Sequence, residues 1–161
     1  MRAATLTIHQ SEFSFSAGHF TIFSATERET LHGHNYHVSV TFHVNIGDNG
    51  LSFDYRHYKR IIKRWCDSID RHFLLPSKSP FLTIHEEGDY CVATFNHKKI
   101  PLLLEDVIVL PLTNITIEEL AHWFLQHLLT EKNTLNEHRI HGLDVDVYNG
   151  PGQSGRASWR V

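Results

Sequence analysis

The stretch Leu31-His32-Gly33-His34-Asn35-Tyr36-His37-Val38-Ser39-Val40-Thr41-Phe42-His43-Val44 alternates between two sets of side chains. Alternate residues of a β-strand point to the same face, so the pattern predicts a strand over residues 31–46. His32 and His34 share a face with the apolar residues Tyr36, Val38, Val40, Phe42 and Val44. We therefore expect the two imidazoles to form the polar end of a stripe that faces the core.

A second alternating run also ends on a histidine. In Phe13-Ser14-Phe15-Ser16-Ala17-Gly18-His19, the histidine shares its face with Phe13, Phe15 and Ala17. If this run pairs with residues 31–46 as a hairpin, His19 lies beside the other two histidines. Three neutral nitrogen ligands with one position left open are typical of a catalytic zinc site. We therefore predict a Zn²⁺ cofactor on His19, His32 and His34.

The abundance of histidine leaves another interpretation open. The chain has 14 His among 161 residues, so about one His-x-His is expected by chance and the motif alone is weak. The alternative is an unrelated histidine-rich metal buffer, which would hold several zinc ions per subunit. A catalytic site would hold one.

Composition indicates a globular protein with a core of its own. Hydrophobic residues make up 41% and charged residues 20% of the chain, and 161 residues are most simply one domain, 1–161. The formal charge of −3 provides no basic field for nucleic acid. The basic residues between Arg56 and Arg64 have helical spacing, which is typical of the solvated face of a helix.

The compartment is predicted from cysteines and hydropathy. Cys66 and Cys91 fall in an apolar helix stripe and an apolar strand, so we expect buried free thiols rather than a disulfide. No apolar run approaches the 18 residues of a membrane span, and the first residues lack the apolar segment of a secretion signal. These features predict a cytoplasmic enzyme with no membrane contact.

The remaining chain divides into short strands and two helices. The turn Gly47-Asp48-Asn49-Gly50 follows the strand over 31–46, residues 21–30 read as a loop, and the segment 76–80 breaks the chain. Asp54 is expected to cap a helix over 55–70, and Thr116 with Glu119 to begin a second. The predicted strands are 4–20, 31–46, 81–86, 90–96, 107–110, 141–148 and 156–160.

This order favours an α+β fold. Strands and helices do not alternate regularly, so we expect an antiparallel β-sheet with two helices on one face rather than a doubly wound sheet. Such a sheet leaves open edges. Self-association into a closed ring is one way to protect them.

Several motifs together resemble one known family. They are Phe15-Ser16-Ala17-Gly18-His19, Leu31-His32-Gly33-His34-Asn35-Tyr36, Phe53-Asp54-Tyr55, Asp70 with His72, and Asn114-Ile115-Thr116-Ile117-Glu118. In this order they resemble the 6-pyruvoyltetrahydropterin synthase family, which includes 6-carboxytetrahydropterin synthases. The resemblance implies the tunnelling fold, in which trimers close an antiparallel barrel, two trimers stack, and active sites lie between subunits. It also implies zinc on His19, His32 and His34.

The resemblance further implies a substrate and a reaction class. The substrate would be 7,8-dihydroneopterin triphosphate, whose side-chain hydroxyls bind zinc, and the enzyme would be a carbon–oxygen or carbon–carbon lyase. A Lewis acid lowers the pKa of a hydroxyl, so a modest base can remove its proton near neutral pH. The pathway, whether folate, queuosine or biopterin, and the choice between trimer and hexamer stay open.

The family's catalytic cysteine is missing. Members that eliminate triphosphate carry it four residues before the first histidine of His-Gly-His, where this chain has Arg28. Glu29 follows, as in the glutamate-bearing branch that cleaves the side chain to 6-hydroxymethyl-7,8-dihydropterin, a folate precursor. We therefore expect Glu29 to be the base. Glu27 is the second choice, and an exposed loop acid is the structural alternative.

Two further positions depart from the family pattern. The family pairs an Asp with the His that follows it, but here Arg71 separates Asp70 from His72. His72 either takes over the catalytic role with Asp70 or only caps the preceding helix.

The family's ring-binding glutamate is replaced by Asn149. A carboxylate only accepts hydrogen bonds, whereas an amide also donates them, so the ring that this chain binds could differ from a standard pterin. Thr116 and Glu118 match the family's Thr-x-Glu and are expected near the ring edge, although Thr116 also suits a helix cap. A second hypothesis is therefore a diverged member that binds another heterocycle without the chemistry.

Overall fold

The computed structural model describes residues 1–161 and contains ten β-strands and three α-helices. The strands are β1 (Arg2–Ile8), β2 (Ser14–His19), β3 (His32–Ile46), β4 (His72–Pro76), β5 (Leu82–Glu87), β6 (Tyr90–Phe95), β7 (Lys98–Leu103), β8 (Val107–Leu110), β9 (Ile140–Tyr148) and β10 (Ser154–Arg160). The helices are α1 (Arg56–Ile69), α2 (Ile117–Leu129) and α3 (Lys132–Glu137).

Strand β3 is the centre of a seven-stranded sheet. The order is β10-β9-β3-β2-β4-β8, and β1 also pairs with β3. The prediction of one strand over 4–20 was wrong, because the chain leaves the ladder between β1 and β2. The Phe13 amide donates to Gln10 O at 2.9 Å and forms a turn there. Both pieces still pair antiparallel with β3.

The main sheet is mixed rather than wholly antiparallel as predicted. Strand β4 pairs in parallel with both β2 and β8. Parallel neighbours need a long crossover, commonly a helix. Helix α1 provides such a connection before β4, and the small sheet of β5, β6 and β7 lies between β4 and β8 in the chain.

Two helices cover one face of the sheet, as predicted. The larger hydrophobic core has 30 buried residues and includes the predicted stripe of β3. Trp65 of α1 meets Trp123 of α2 edge-on at 5.6 Å. Asp54 does not cap α1 in the predicted way, because Tyr55 occupies the N-cap and the Asp54 carboxylate accepts from the Arg56 amide. Thr116 caps α2, as expected.

The other face of the sheet carries a smaller core. Leu74 and Leu75 are consecutive on β4 and belong to different cores, which places the two cores on opposite faces. The predicted hairpin near 81–96 is confirmed as β5 and β6, and β7 adds a third strand that the sequence reading missed. Cys66 and Cys91 are buried free thiols. None of the helices has the length and apolar character needed to cross a membrane.

Candidate functional site

The pairing of β2 with β3 brings the three predicted ligands together. His19 is directly opposite His32, and Ala17 is opposite His34. The ring centroid of His19 lies 4.7 Å from that of His32 and 5.2 Å from that of His34. One ring nitrogen of each residue lies within 4.8 Å of the other two. The hairpin expected from the two alternating runs is therefore present in this register.

Backbone carbonyls orient two of the rings. The Nδ1 of His19 lies 2.8 Å from Ile115 O, and the Nδ1 of His32 lies 2.7 Å from Thr30 O. A carbonyl only accepts, so each Nδ1 donates and each Nε2 keeps a lone pair. This is the arrangement that supports metal-binding histidines. The Nε2 of His19 is buried and has no hydrogen-bond partner.

The electrostatics of the three histidines also fit a metal. Burial lowers the pKa of His19 despite its hydrogen bond to Ile115, and the charges of His32 and His34 lower it further. Burial and the neighbouring His32 also lower the pKa of His34. Neutral imidazole is the form that binds a metal. The donor set, its spacing and the unpartnered His19 Nε2 therefore fit a divalent cation such as zinc.

Glu29 lies in the loop predicted over 21–30, which an isolated bridge between Ile22 and Arg28 closes into a short hairpin. We call residues 21–29 the Glu29 hairpin. The Glu29 amide donates to Thr21 O at 2.9 Å, and the Phe23 amide donates to Glu27 O at 2.9 Å. The Glu29 carboxylate accepts from the Thr21 amide at 2.9 Å. The side chain is thereby held three residues before His32, where β3 begins.

The Glu29 carboxyl is held in its charged form. Burial raises its pKa, but hydrogen bonds from the side chain and backbone of Thr21 and the nearby His19 and His32 lower it, with a net decrease. The carboxylate is therefore deprotonated and near the histidines, so it is able to accept a proton from a group bound there. Glu27, the second choice as base, is exposed and accepts the Phe23 amide through its backbone.

Arg28, at the position of the family's cysteine, anchors the hairpin. Its guanidinium lies over the rings of Phe20 and Phe95, at 5.2 and 5.8 Å from their centroids. It also donates to Glu29 O at 2.8 Å. Phe95 belongs to β6, so Arg28 fastens the Glu29 hairpin to the three-stranded sheet.

Asp70 and His72 do not form a carboxylate–imidazole pair. The Asp70 carboxylate accepts from the Ser16 amide at 2.8 Å, whereas the Nδ1 of His72 donates to the Asp70 carbonyl at 2.7 Å. Arg71 between them has a left-handed backbone with φ of 58°. His72 is opposite Ala17, which is opposite His34. His72 is thus two strands from His34, or about 10 Å between backbones.

A polar cavity of about 440 Å³ joins these two regions. It is lined by Ser16, Ala17, Gly18, Gly33, His34, Asn35, Arg71 and His72. His34 and His72 therefore border one space, although no direct contact joins them. The structure does not bring Asp70 or Glu29 into this lining.

The three predicted ring-binding residues lie at the ends of other elements. Asn149 directly follows β9, whose last residue, Tyr148, is opposite His37, where the pairing with β3 ends. The Asn149 Oδ1 accepts from Gln153 Nε2 at 2.8 Å.

Thr116 and Glu118 lie at the start of α2, directly after the carbonyl of Ile115 that holds His19. The Thr116 hydroxyl accepts from the Glu119 amide at 3.3 Å and so caps the helix. Glu118 is exposed. Its chain neighbour Ile117 packs against Gly155 of β10, where a Cβ would meet the Ile117 carbonyl carbon at 2.7 Å.

Sequence reasoning missed two contributors to this site. The buried hydroxyl of Tyr36 has no partner, and its ring centroid lies 5.6 Å from that of His34. Burial and the charge of Glu29 raise the pKa of the Tyr36 hydroxyl. Its place on the histidine face of β3 was a usable signal. The Ile115 carbonyl gave no such signal, because it is a backbone atom 96 residues from His19.

Known proteins are similar to this chain in fold and sequence. A family model described as 6-pyruvoyl tetrahydropterin synthase matches residues 8–158. A protein of Methanocaldococcus jannaschii named "Putative 6-carboxy-5,6,7,8-tetrahydropterin synthase" is 28% identical over 140 residues, which are 86% of this chain and 85% of that protein.

Solved structures agree over the full length. The 6-pyruvoyl tetrahydropterin synthase of Plasmodium falciparum is 27% identical, with a TM-score of 0.94 and coverage of 100% of both chains. That of Plasmodium vivax is 29% identical, with the same TM-score and coverage. Two further Plasmodium vivax structures are variants whose catalytic residue, a glutamate, is replaced by alanine or cysteine. With its fold and histidine cluster, this chain belongs to the 6-pyruvoyl tetrahydropterin synthase family.

Proposed function

We propose that this protein is a zinc-dependent lyase that cleaves the side chain of 7,8-dihydroneopterin triphosphate and releases 6-hydroxymethyl-7,8-dihydropterin. Family membership supports a pterin-metabolising enzyme, and Glu29 supports this particular reaction. The main observation is that the Glu29 carboxylate is held by Thr21 at the entrance to β3, beside the three histidines. Neither cysteine lies in that region of the chain.

His19, His32 and His34 would hold the metal through their Nε2 atoms. When bound, zinc would act as a Lewis acid and lower the pKa of a hydroxyl on the substrate's side chain. The carbonyls of Ile115 and Thr30 keep two of the rings in the tautomer that this binding needs.

Glu29 moves the proton. Its carboxylate takes the proton of the 2′-hydroxyl, and the O–H electron pair forms a carbonyl at C2′ as the C1′–C2′ bond breaks. The electron pair of that bond passes to C1′ and the conjugated ring. The proton on Glu29 then returns to C1′, which leaves a hydroxymethyl group on the ring and a two-carbon aldehyde that carries the triphosphate.

The Plasmodium structures support a glutamate in this role. Two of them are described as catalytic-residue variants in which that residue is a glutamate, and their parent structure has a TM-score of 0.94 to this chain. In this chain, Glu29 is the acid near the histidines that is half-buried and hydrogen-bonded.

We assign supporting roles to the other predicted residues. His72 would act in the reaction from the side of the cavity opposite His34, and Asp70 would hold the His72 imidazole through its carbonyl. Asn149, Thr116 and Glu118 would contact the ring. Because Asp70 and His72 do not reach the histidines within one chain, we propose that the complete site forms between subunits of a trimer or hexamer. The unpaired outer edges of β10 and β8 support such assembly.

The test is product identification. The pure protein is incubated with 7,8-dihydroneopterin triphosphate and zinc, and the pterins are separated by chromatography. We expect 6-hydroxymethyl-7,8-dihydropterin. A 6-pyruvoyl or 6-carboxy product would exclude side-chain cleavage of this kind, and no turnover with zinc bound would reject the enzyme hypothesis.

The buried free thiols are consistent with a reducing cytoplasm as the compartment.

The hydrogen bond of Asn149 favours a second candidate, a diverged member that binds another heterocycle without turnover. The Asn149 Oδ1 accepts from Gln153 Nε2, which leaves one lone pair and the N–H donors of this amide for a ligand. A pterin edge that donates two hydrogen bonds would be matched less well by this amide than by a carboxylate. Native mass spectrometry with purines and pterins separates the two candidates, because tight binding of a non-pterin without product supports only the second.

A further inference from the structure

Asn114 joins the two segments that support the candidate site. Its Oδ1 accepts from the Ile22 amide at 3.1 Å, and its Nδ2 donates to Ile22 O at 2.8 Å. The same Oδ1 accepts from the Ile115 amide at 3.1 Å. The side chain therefore pairs with Ile22 as a neighbouring strand would, although the two residues are 92 positions apart.

Each end of this connection leads to one functional group. Ile22 follows Thr21, whose amide donates to the Glu29 carboxylate and whose carbonyl accepts from the Glu29 amide. Ile115 provides the carbonyl that accepts from the Nδ1 of His19. The Asn114 amide thus binds Ile22, which is the chain neighbour of the residue that holds Glu29. Asn114 is itself the chain neighbour of Ile115, which holds His19.

The chemistry of the amide matches both demands. Ile22 is 7% exposed, so its N–H and C=O have little access to water and need partners from the protein. An amide offers an acceptor with two lone pairs and a donor. Aspartate would keep the acceptor but lose the donor to Ile22 O, and alanine would lose all three bonds.

We infer that Asn114 is a positioning residue that sets the Glu29 carboxylate and the His19 imidazole relative to each other. This inference rests on the proposed function for the role of Glu29, but the connection itself does not. Asn114 touches neither the histidine rings nor the Glu29 carboxylate, so its effect passes through Ile22 and Ile115.

The first experiment measures the connection without turnover. Amide hydrogen exchange is followed at Ile22 and Glu29, and zinc affinity by competition with a chelator, in the full-length protein. For Asn114→Ala we expect exchange at both amides to accelerate at least about tenfold and zinc to bind about tenfold more weakly, the lower end of losses from outer-shell groups. Thr113→Ala is the matched control, because it loses only the hydrogen bond to Glu119. Unchanged exchange in Asn114→Ala, or equal acceleration in Thr113→Ala, would overturn the inference.

The second experiment measures catalysis and also covers poor folding of the alanine variant. Asn114→Asp retains the bonds from the amides of Ile22 and Ile115, so we expect it to fold and to keep the Ile22 amide protected. We expect its kcat to fall at least about tenfold with KM changed less than about twofold. The reason is that the substrate still binds, whereas the Glu29 carboxylate no longer has the position that proton transfer needs. A wild-type kcat in a folded Asn114→Asp variant would contradict the positioning role. If the wild-type protein shows no turnover, the proposed function fails while exchange and zinc affinity still decide the role of Asn114.

Discussion

His19 of β2 and His32 of β3 are directly opposite each other in the antiparallel ladder, and their ring centroids are 4.7 Å apart. Each ring donates from Nδ1 to a backbone carbonyl, one from Ile115 and one from Thr30. The two Nε2 atoms are thereby directed into the same small volume as that of His34. The metal hypothesis rests on this pairing.

Replacing His32 should remove the metal. His32→Ala leaves two imidazoles, so we expect zinc affinity to fall by more than about a hundredfold, beyond the loss caused by outer-shell changes. Chelator competition measures the affinity. His37→Ala is the control, because His37 is exposed on the opposite face of the same strand. Retained affinity in His32→Ala would place the metal elsewhere.

The number of bound metal ions separates a catalytic site from a metal buffer. The three histidines form the only group of metal-ligating side chains that the structure brings together at this spacing. We expect one zinc per chain after removal of loosely bound metal, measured by elemental analysis against protein concentration. Several tightly held ions per chain would favour the histidine-rich buffer, given the 14 His of the sequence.

Replacing Glu29 should stop turnover and spare the metal. In Glu29→Gln the amide oxygen can still accept from Thr21, so we expect an intact hairpin and wild-type zinc content. Loss of a general base lowers kcat by about 10²–10⁴-fold. Glu27→Gln in the same hairpin is the matched control and should retain activity. An unaffected rate in Glu29→Gln would exclude this residue as the base.

Changing Asn149 tests which ring is bound. Asn149→Glu replaces an amide with an acceptor-only carboxylate, and we expect dihydroneopterin to bind about tenfold or more tightly because a charge-assisted contact is restored. Fluorescence titration measures the Kd. Gln153→Ala removes only the amide that engages Asn149 and serves as control. Weaker binding of every pterin in Asn149→Glu would indicate another natural ligand.

Acid should weaken the fold through Asp144. Burial raises the pKa of this carboxyl, but hydrogen bonds from His43, Ser158 and Arg160 outweigh it and lower the pKa to about 2. Because the pKa is lower in the folded protein, the carboxylate stabilises the fold at pH values above its pKa in the unfolded chain, near 4. This stabilisation is lost as the pH falls towards 2. The contribution is about 2 kcal/mol. Denaturant unfolding from pH 6 to pH 2 should show this loss in the wild type but not in Asp144→Asn.

The control for Asp144 is an exposed carboxyl with an equally low pKa. Hydrogen bonds and charge from Arg56 lower the pKa of Asp54 to about 2, but both side chains are largely exposed. Solvent screens such a pair. We therefore expect Asp54→Asn to change the free energy of unfolding little at any pH in this range. If Asp54→Asn lowered the free energy of unfolding as much as Asp144→Asn does, the role given to burial would be contradicted.

Local patterns predicted the elements with strong periodicity. The stripe of β3, the buried face of α1 and the Thr116 cap of α2 agree with the sequence reading, because each depends on residues near one another in the chain. The reading failed where pairing is non-local. Strand β4 begins at His72, in a segment with no alternation, and is a strand because β2 and β8 supply its hydrogen bonds on both sides.

The candidate site divides in the same way. The alternation of the two runs predicted that His19, His32 and His34 share a face, and the acid before His-Gly-His was visible at once. The conformation of the Glu29 hairpin was not visible in the sequence. It depends on contacts with Asn114 and Phe95, which lie far away in the chain. The sequence left open whether His72 pairs with Asp70 or caps α1. In the structure the Nδ1 of His72 donates to the carbonyl of Asp70, which is the C-cap of α1.

The sequence by itself determined which side chains share a face, since a strand alternates with a period of two whatever its partners are. This alternation was enough to predict that the three histidines share a face, that β3 has an apolar stripe and that helices cover one face of the sheet. Only the tertiary structure decided the register that places His19 opposite His32 and the carbonyl of Ile115 that turns its ring. Register and orientation come from hydrogen bonds between distant segments, such as the 96 residues that separate His19 from Ile115, and no local pattern of side chains encodes which backbone groups will meet.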